Sequence, residues 1–544
     1  MRNNMKKKKK EMIITCAFPY SNGFIHIGHL LEHIQADIWV RFNKLIGNKV
    51  YFICSDDTHG TAIMLKAIIK KTIPKNIIFE MYKSHIIEFK KFNIEYDKYY
   101  FTHNKENKIL TNLLFDRLKH NGYIKKKICK QLYDIKKKIF LPDRFIKGKC
   151  PKCYAYNQYG DNCEICGAFY KSTELIKPKS TITGLKPIIK KTTHYFLKLF
   201  LFKKKINNWL NLKVIQNNVL NKVLEWFKKE IKAWNISRNN PYFGFKIPGE
   251  NKKYFYVWFD ALIGYIGTFK ILCNYNKKIN FDNFWYKKTK IELYHFIGKD
   301  IIYFHSLFWP SILEGSNLRK PTKLFVHGHI TINNNKISKS KKTYININYY
   351  FKKKNSDFLR YYYASKLSNS IKDIEFNIKN FIEIINNDII NKLANLISRN
   401  SSFINNYYYN KLSNTLKYSK IYQIFINESK NISNLYINMK FDIIINIIMK
   451  LVDLANFYIN IKKPWYLFKK KLYNNKLQMI CTIGINLFKI LITYLKPILP
   501  IFTFKSEFLL NTKLTWIGIK KPLLGNKIKK FKKFFHRIKL NEIL

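Results

Sequence analysis

The chain has 544 residues, enough for several domains that each bury a core of their own. Lys and Arg number 99 against 34 Asp and Glu, a formal net charge of +65, which attracts polyanions and steers them at long range. Gly (19) and Pro (14) are scarce while Lys, Asn, Ile, Phe and Tyr dominate; compositional drift accounts for much of the charge, so it permits RNA binding without diagnosing it.

The start, Met1 to Lys10, is a basic run with no apolar stretch behind it, which excludes a secretory signal. Met12 to Thr15 reads as a short buried strand, followed by the loop Pro19-Tyr20-Ser21-Asn22-Gly23 and an amphipathic helix over about 28–42. Val50 to Cys54 is a second strand, ending in polar Ser55-Asp56-Asp57. Residues 121–256 interrupt this pattern and carry clustered cysteines. Glu292 to Ile297 and Leu324 to Val326 resume it as strands. Strands separated by helices argue for a parallel sheet. Its ligands sit outside the strands' carboxyl ends, where Asp57 and Gly298 fall. From His329 to Lys463 there is neither Gly nor Pro, and Phe441, Ile444, Ile448, Leu451 and Ala455 keep helical spacing. The second half is therefore predicted to be helical. The apolar run Leu477 to Phe502 is broken by Lys489, Lys496, Pro497 and Pro500; it is too polar to span a bilayer and is expected to be one buried helix.

Two short strings carry chemistry. His26-Ile27-Gly28-His29 opens the first helix, whose N-terminal N–H groups and dipole favour an anion. Its histidines can donate to phosphate oxygens, and Gly28, lacking Cβ, lets an adenine ring approach the backbone. Alone, the tetrapeptide is also compatible with a loop that satisfies its own turn. Lys336-Ile337-Ser338-Lys339-Ser340 follows Asn333-Asn334-Asn335 in a polar loop. Two ammonium groups there can close on a triphosphate as pyrophosphate leaves. In so lysine-rich a chain the string alone is an ordinary solvated loop; its place after a strand ending at Val326-His327-Gly328 gives it weight.

Nine cysteines include one tight group, Cys150-x₂-Cys153 and Cys163-x₂-Cys166. Two such knuckles supply four thiolates to one Zn²⁺ in a closed, structural site, and they outweigh a redox dithiol. The intervening Tyr159-Gly160-Asp161-Asn162 reads as a turn. The other five cysteines are scattered, as in a reducing, cytoplasmic protein.

Together the two strings are the pair found in class I aminoacyl-tRNA synthetases, which the chain resembles. Over nearly its whole length the resemblance narrows to the methionyl-tRNA synthetase family, in its bacterial form with a single four-cysteine zinc knob. Matching blocks include Cys16-Ala17-Phe18-Pro19-Tyr20, Phe52 through Gly60, the knob, Trp234 through Gly244, Tyr254 through Trp258, and Leu293 through Pro310. The leucine, isoleucine and valine enzymes share both strings but place a large editing domain between them, for which the interval 26 to 336 leaves little room.

The resemblance implies a Rossmann-like α/β nucleotide-binding domain with an inserted zinc-binding connective domain, followed by an all-α anticodon-binding helical bundle. The expected divisions are 1–120 and 257–330 for the two catalytic halves and 121–256 for the connective insertion. A stem-contact region with the lysine loop is expected over 331–391, and the anticodon domain over 392–544. In the site, it implies that His26, His29, Lys336 and Lys339 serve catalysis, and that Gly28, Glu32, Gly298 and Asp300 contact ATP, with Mg²⁺. Asp57 would hold the methionine ammonium, with Ala17, Tyr20, Trp258, Tyr265, Ile301 and His305 around the thioether. Asn395, Arg399, Pro464 and Trp465 match anticodon readers, an indole being a stacking platform for unpaired bases. Arg238 lies in a matching wall segment, with no role assigned.

Three residues depart from the family pattern: Leu262 for a proline, Ile337 for a methionine and Phe18 for a leucine. None removes a charge or a donor. The implied reaction is methionine activation by ATP, then transfer to the 3′-terminal adenosine of initiator and elongator tRNA(Met). The expected state is a cytoplasmic monomer without membrane contact, because the chain stops at Leu544 without a dimerising tRNA-binding appendage. Two other readings compete: a nucleotidyltransferase acting on another small molecule, and a silent RNA-binding relic keeping only knob and charge. The helical half and knob oppose the first; intact His26, His29, Asp57 and Lys339 oppose the second.

Overall fold

The computed structural model describes residues 9–160, 163, 165, 166, 168, 170–332, 335, 336, 355–416, 419–470 and 475–540. β1 (Glu11–Cys16) carries five buried side chains in succession, the pattern of a strand covered on both faces. A loop leads into α1 (Ile27–Leu45), then β2 (Lys49–Asp56), α2 (Pro74–Lys91) and β3 (Lys98–Phe101). The chain next leaves the sheet for a long antiparallel ribbon, β4 (Ile124–Asp134) paired with β5 (Ile188–Leu197). It returns through α3 (Val257–Tyr275) to β6 (Glu292–Gly298) and β7 (Lys323–His327).

The strand order is β7-β6-β1-β2-β3, with every neighbouring pair parallel. The order reverses between β1 and β6, and that reversal opens a crevice at their carboxyl ends. Alternation sorts the strand residues into two layers. Ile14, Phe52, Phe296 and Phe325 join one apolar core; Ile13, Ile53, Ile297 and Leu324 join another.

Residues 199–231, beyond the ribbon, pack into that second core. Leu324 N–H donates to Val214 C=O at 2.8 Å and the Trp209 indole N–H to Pro321 C=O at 3.0 Å. The base of the ribbon joins the same core through Tyr195 and Leu197, while Leu132, Leu141, Phe145, Ile146 and Leu175 beyond it form a small core of their own. Of the expected turn there, Tyr159 lies in a two-residue strand, and Asp161 and Asn162 fall outside the described residues.

The second half is built of α4 (Ser356–Lys366), α5 (Asn395–Tyr407), α6 (Ser419–Ile437), α7 (Phe441–Lys462), α8 (Pro464–Lys469), α9 (Asn475–Leu495) and α10 (Pro500–Leu510). The single helix expected over 477–502 is two. The helix ends at Leu495, before Pro497, and Pro500 starts the next at a position where its missing N–H costs nothing. Among the described residues, α9 is long and apolar enough to cross a membrane, yet its side chains are buried in the bundle. Lys489 within it is held by the Gly518 and Lys521 carbonyls.

The first core runs unbroken from α1 into this bundle. Phe42 of α1 stacks on Tyr436 with centroids 4.4 Å apart. Arg360 of α4, fully buried, pairs with Asp37 of α1 at 2.6 Å and donates to the carbonyls of Pro497 and Ile498.

Candidate active site

The crevice is a cleft of about 490 Å³. Its lining brings together Ala17 and Tyr20 after β1, Asp57 after β2, and His26, Gly28, His29 and Glu32 of the loop and α1. Trp258, Tyr265, Gly298, Asp300, Ile301 and His305 close it from the other side. The loop is tied to the strand end: Asp57 N–H donates to Pro19 C=O at 2.8 Å and Ser21 N–H to Asp57 C=O at 2.9 Å.

His26 is the N-cap of α1. Its Nδ1 accepts from His29 N–H and the Nδ1 of His29 accepts from His26 N–H, both at 3.3 Å, while the rings stack 3.6 Å apart. A ring whose Nδ1 accepts carries its proton on Nε2, so both histidines are set as Nε2–H donors. A Cβ on Gly28 would press on the His26 ring at 3.1 Å. The close approach at this glycine is thus to its own capping histidine, a constraint the sequence reading did not see.

Glu32 accepts from Ala17 N–H at 2.6 Å through one oxygen and meets His327 Nε2 at 3.0 Å through the other. Burial, the larger influence, pushes its carboxyl up against these bonds. Burial alone would lower the His327 imidazole, but Glu32 turns its shift upward. A proton is therefore held between the two. Beside them, Asp300 folds over Gly298, where a Cβ would meet its Oδ1 at 2.8 Å.

The opposite wall is an uncharged aromatic cup. His305 Nδ1–H donates to Ile301 C=O at 3.1 Å, leaving Nε2 to accept from the Tyr265 hydroxyl at 2.9 Å. Burial lowers the His305 imidazole to about 4, so it is neutral. Trp258 stacks on Phe304 at 3.8 Å, and Phe18 packs on Tyr265 at 4.5 Å. Leu262 is buried in the same wall. At the cup's polar rim, Asp57 Oδ1 is buried and meets no donor among the described residues. Burial and then the Asp260 carboxyl push Asp57 well above the carboxylate range. A buried acceptor in that condition suits a cationic donor.

His33, His327 and His329 also line the cleft, and the sequence reading missed them. The available signal was His327-Gly328-His329 at the end of β7, a second histidine–glycine string at a strand's carboxyl end. Lys336 is not in a free loop: Asn335–Lys336 is a short strand antiparallel to Ile330–Ile332, with Lys336 opposite Thr331. Lys339, Ile337 and Ser338 lie outside the described residues. The Arg238 guanidinium stacks 3.7 Å from the Tyr256 ring centre.

In the ribbon segment the four Sγ atoms of Cys150, Cys153, Cys163 and Cys166 lie within 4.8 Å of one another. Two of the spacings are 3.8 and 3.5 Å, close to the edge of a tetrahedron with metal–sulfur bonds of about 2.3 Å. Backbone N–H groups of Lys152 and Cys166 point at sulfur at 3.3 and 3.4 Å, which favours thiolates. The cluster can bind a metal ion.

In the helical half, Asn395 and Arg399 lie on α5, Pro464 and Trp465 on α8. The two helices pack through Phe468, 5.7 Å from Phe403 and 4.6 Å from Tyr407. Lys463, in the left-handed region at φ 42°, makes the corner that turns α8. Pro464 is buried, Trp465 is 37% exposed and Arg399 is exposed.

The family model of tRNA synthetases class I (M) matches residues 12–401. A methionine–tRNA ligase of Buchnera aphidicola subsp. Schizaphis graminum is 53% identical over 540 residues, 99% of each chain. The fold is similar to Mycobacterium tuberculosis methionyl-tRNA synthetase in complex with methionyl-adenylate, with a TM-score of 0.79 at 19% identity over 96% of this chain and 99% of that one. The free form of that enzyme gives 0.73 at 18% identity, over 98% and 99%. With nearly the whole chain matched at that identity to a curated ligase, it belongs to the methionyl-tRNA synthetase family of class I tRNA synthetases.

Proposed function

We propose that this protein joins L-methionine to initiator and elongator tRNA(Met) in two steps, through methionyl-adenylate. The observation that carries this reading is one cleft joining three unlike surfaces. They are a buried Asp57 oxygen without a donor, a neutral aromatic cup, and a histidine-capped helix N-terminus.

Asp57 takes the methionine ammonium, and the cation removes the penalty that burial places on its charged form. The thioether packs against Tyr265, Trp258 and Ile301, since sulfur packs well at ring edges. His26 and His29 donate from Nε2 to phosphate oxygens, beside the first-turn N–H groups of α1. Gly298 and Asp300 hold the nucleoside, with Glu32 bracing that wall through Ala17 and His327. The methionine carboxylate attacks the α-phosphorus; an oxygen–phosphorus bond forms as the bond to pyrophosphate breaks, and pyrophosphate takes the electron pair. Lys336 and Lys339 neutralise its charge, and Mg²⁺ bound with ATP adds to that neutralisation. A ribose hydroxyl of the terminal adenosine then attacks the activated carbonyl and releases AMP. No side-chain nucleophile is needed, because orientation supplies much of the rate. Zn²⁺ in the four-thiolate knob braces the ribbon. Asn395, Arg399, Pro464 and Trp465 read the anticodon.

The test is methionine-dependent ATP–pyrophosphate exchange by purified protein beside a Lys339→Ala control, followed by charging of tRNA(Met). Exchange that needs methionine and disappears in the control is the expected result. Folded, zinc-loaded protein without exchange would overturn the reading.

A further inference from the structure

We propose that His85 is a positioning residue that holds the phosphate-binding loop in register with the methionine-binding strand end. The proposal rests on the two-subsite reading above.

His85 lies on α2, outside the cleft, and is fully buried. Its ring spans two segments that meet at the active site. Nδ1 lies 2.6 Å from Asp56 Oδ1, next to Asp57 in the chain, and Nε2 lies 3.0 Å from the Gly23 carbonyl, three residues before His26. One turn on, buried Glu88 accepts from Ile25 N–H at 3.0 Å. α2 thus grips the backbone on the approach to the histidine pair and the tip of β2 with one imidazole. Packing alone does not call for polar groups here. Ile77, Ile78, Met81 and Phe89 already supply the apolar face of α2, and buried polar groups cost stability unless bonded.

A carbonyl only accepts, so Nε2 must carry a proton; Asp56, which already accepts from the Tyr99 hydroxyl, takes the other from Nδ1. Both bonds together need the ring doubly protonated or its second proton shared with Asp56. Removing one proton turns an imidazole lone pair against an oxygen and releases either the loop or the strand end. The surroundings agree. Burial alone would lower His85, but Asp56, with Gly23 and Glu88, turns its shift upward. His33 of α1 is lowered to about 3 by burial, then by the charges of His85 and His327. A histidine raised in the fold keeps its bonds below its folded pKa and loses them as pH rises through that value.

The experiment is ATP–pyrophosphate exchange against pH for the wild type, His85→Gln and Glu88→Gln, with melting curves for each. His85→Gln reaches fewer of the two oxygens. It should raise KM for ATP and lower kcat, with a combined loss of about ten- to a hundred-fold, and it should lose the alkaline fall in kcat/KM for ATP. Glu88→Gln keeps an acceptor for Ile25 but removes a charge that raises His85, so its alkaline limb should move to lower pH. A folded His85→Gln with lower Tm but wild-type kcat, KM and pH profile would show a merely structural role and overturn the proposal. If His85→Gln does not fold, the Glu88→Gln limb decides alone: a shift supports the proposal and an unmoved limb overturns it. Wild-type protein without methionine-dependent exchange would instead overturn the functional reading beneath it.

Discussion

In the cleft the candidate recognition groups are bonded in advance, Glu32 to Ala17 and His327, Tyr265 to His305, and the half-buried His26 to His29. On the helical half two of the candidate readers reach the surface, Trp465 on the corner set by Lys463 and Pro464, and Arg399 on α5. The difference follows the size of what is recognised. A small substrate can be enclosed, so a low-dielectric site with fixed dipoles gains most from each hydrogen bond. A folded RNA cannot be enclosed, so it is met by exposed aromatic and cationic groups held by a core beneath them. The two regions nevertheless share one apolar core through α1 and α4, so the candidate readers and the cleft are built on the same packed interior.

That shared core can be broken at Arg360. Arg360→Leu takes one of its two guanidinium partners from Asp37, which keeps Arg41, and removes the donor to the buried carbonyls of Phe92, Pro497 and Ile498. It should cost about 3–5 kcal/mol, read as a loss of free energy in urea unfolding. Two separate transitions in the wild type would contradict a continuous core. Asp57→Asn sharpens the enclosed side of the contrast. It should weaken methionine binding, seen by calorimetry, by about 2–5 kcal/mol, with Tm unchanged or higher, because one oxygen of the carboxyl it removes is buried without a donor. Trp465→Ala sharpens the exposed side: kcat/KM for charging tRNA(Met) should fall by about 1–3 kcal/mol while methionine-dependent exchange stays at the wild-type rate. Cys163→Ser should empty the metal site, as metal analysis would read, and loosen the ribbon to hydrogen exchange. Its effect on adenylation should be far smaller than that of Asp57→Asn, because none of the four cysteines lines the cleft.

The same contrast governs what the sequence made legible. The sheet, the strand-end aspartate and the histidine-capped helix were readable because short buried strands and turn residues act locally. The knob was readable because thiolate spacing is itself the geometry. His327 and His85 were not, since each acts through partners far off in the chain: Glu32 for the first, Gly23 and Asp56 for the second. Nor was the return of residues 199–231 to the edge of β7, which is fixed by packing on Leu324 rather than by any local string. The run 477–502 misled because its apolar content outweighed two prolines that in fact divide it. On the helical half, periodicity revealed the helices but pointed to no candidate reader. Trp465 after a proline is by pattern an ordinary helix-boundary aromatic, and only the resemblance singled it out.

The central claim is that enclosure serves the amino acid and exposure serves the RNA, in separable steps. The most direct test runs ATP–pyrophosphate exchange and tRNA(Met) charging side by side on the wild type, Asp57→Asn and Trp465→Ala. The account predicts that Asp57→Asn loses both activities and Trp465→Ala loses charging alone. Exchange that survives in Asp57→Asn, or disappears in Trp465→Ala, would contradict it.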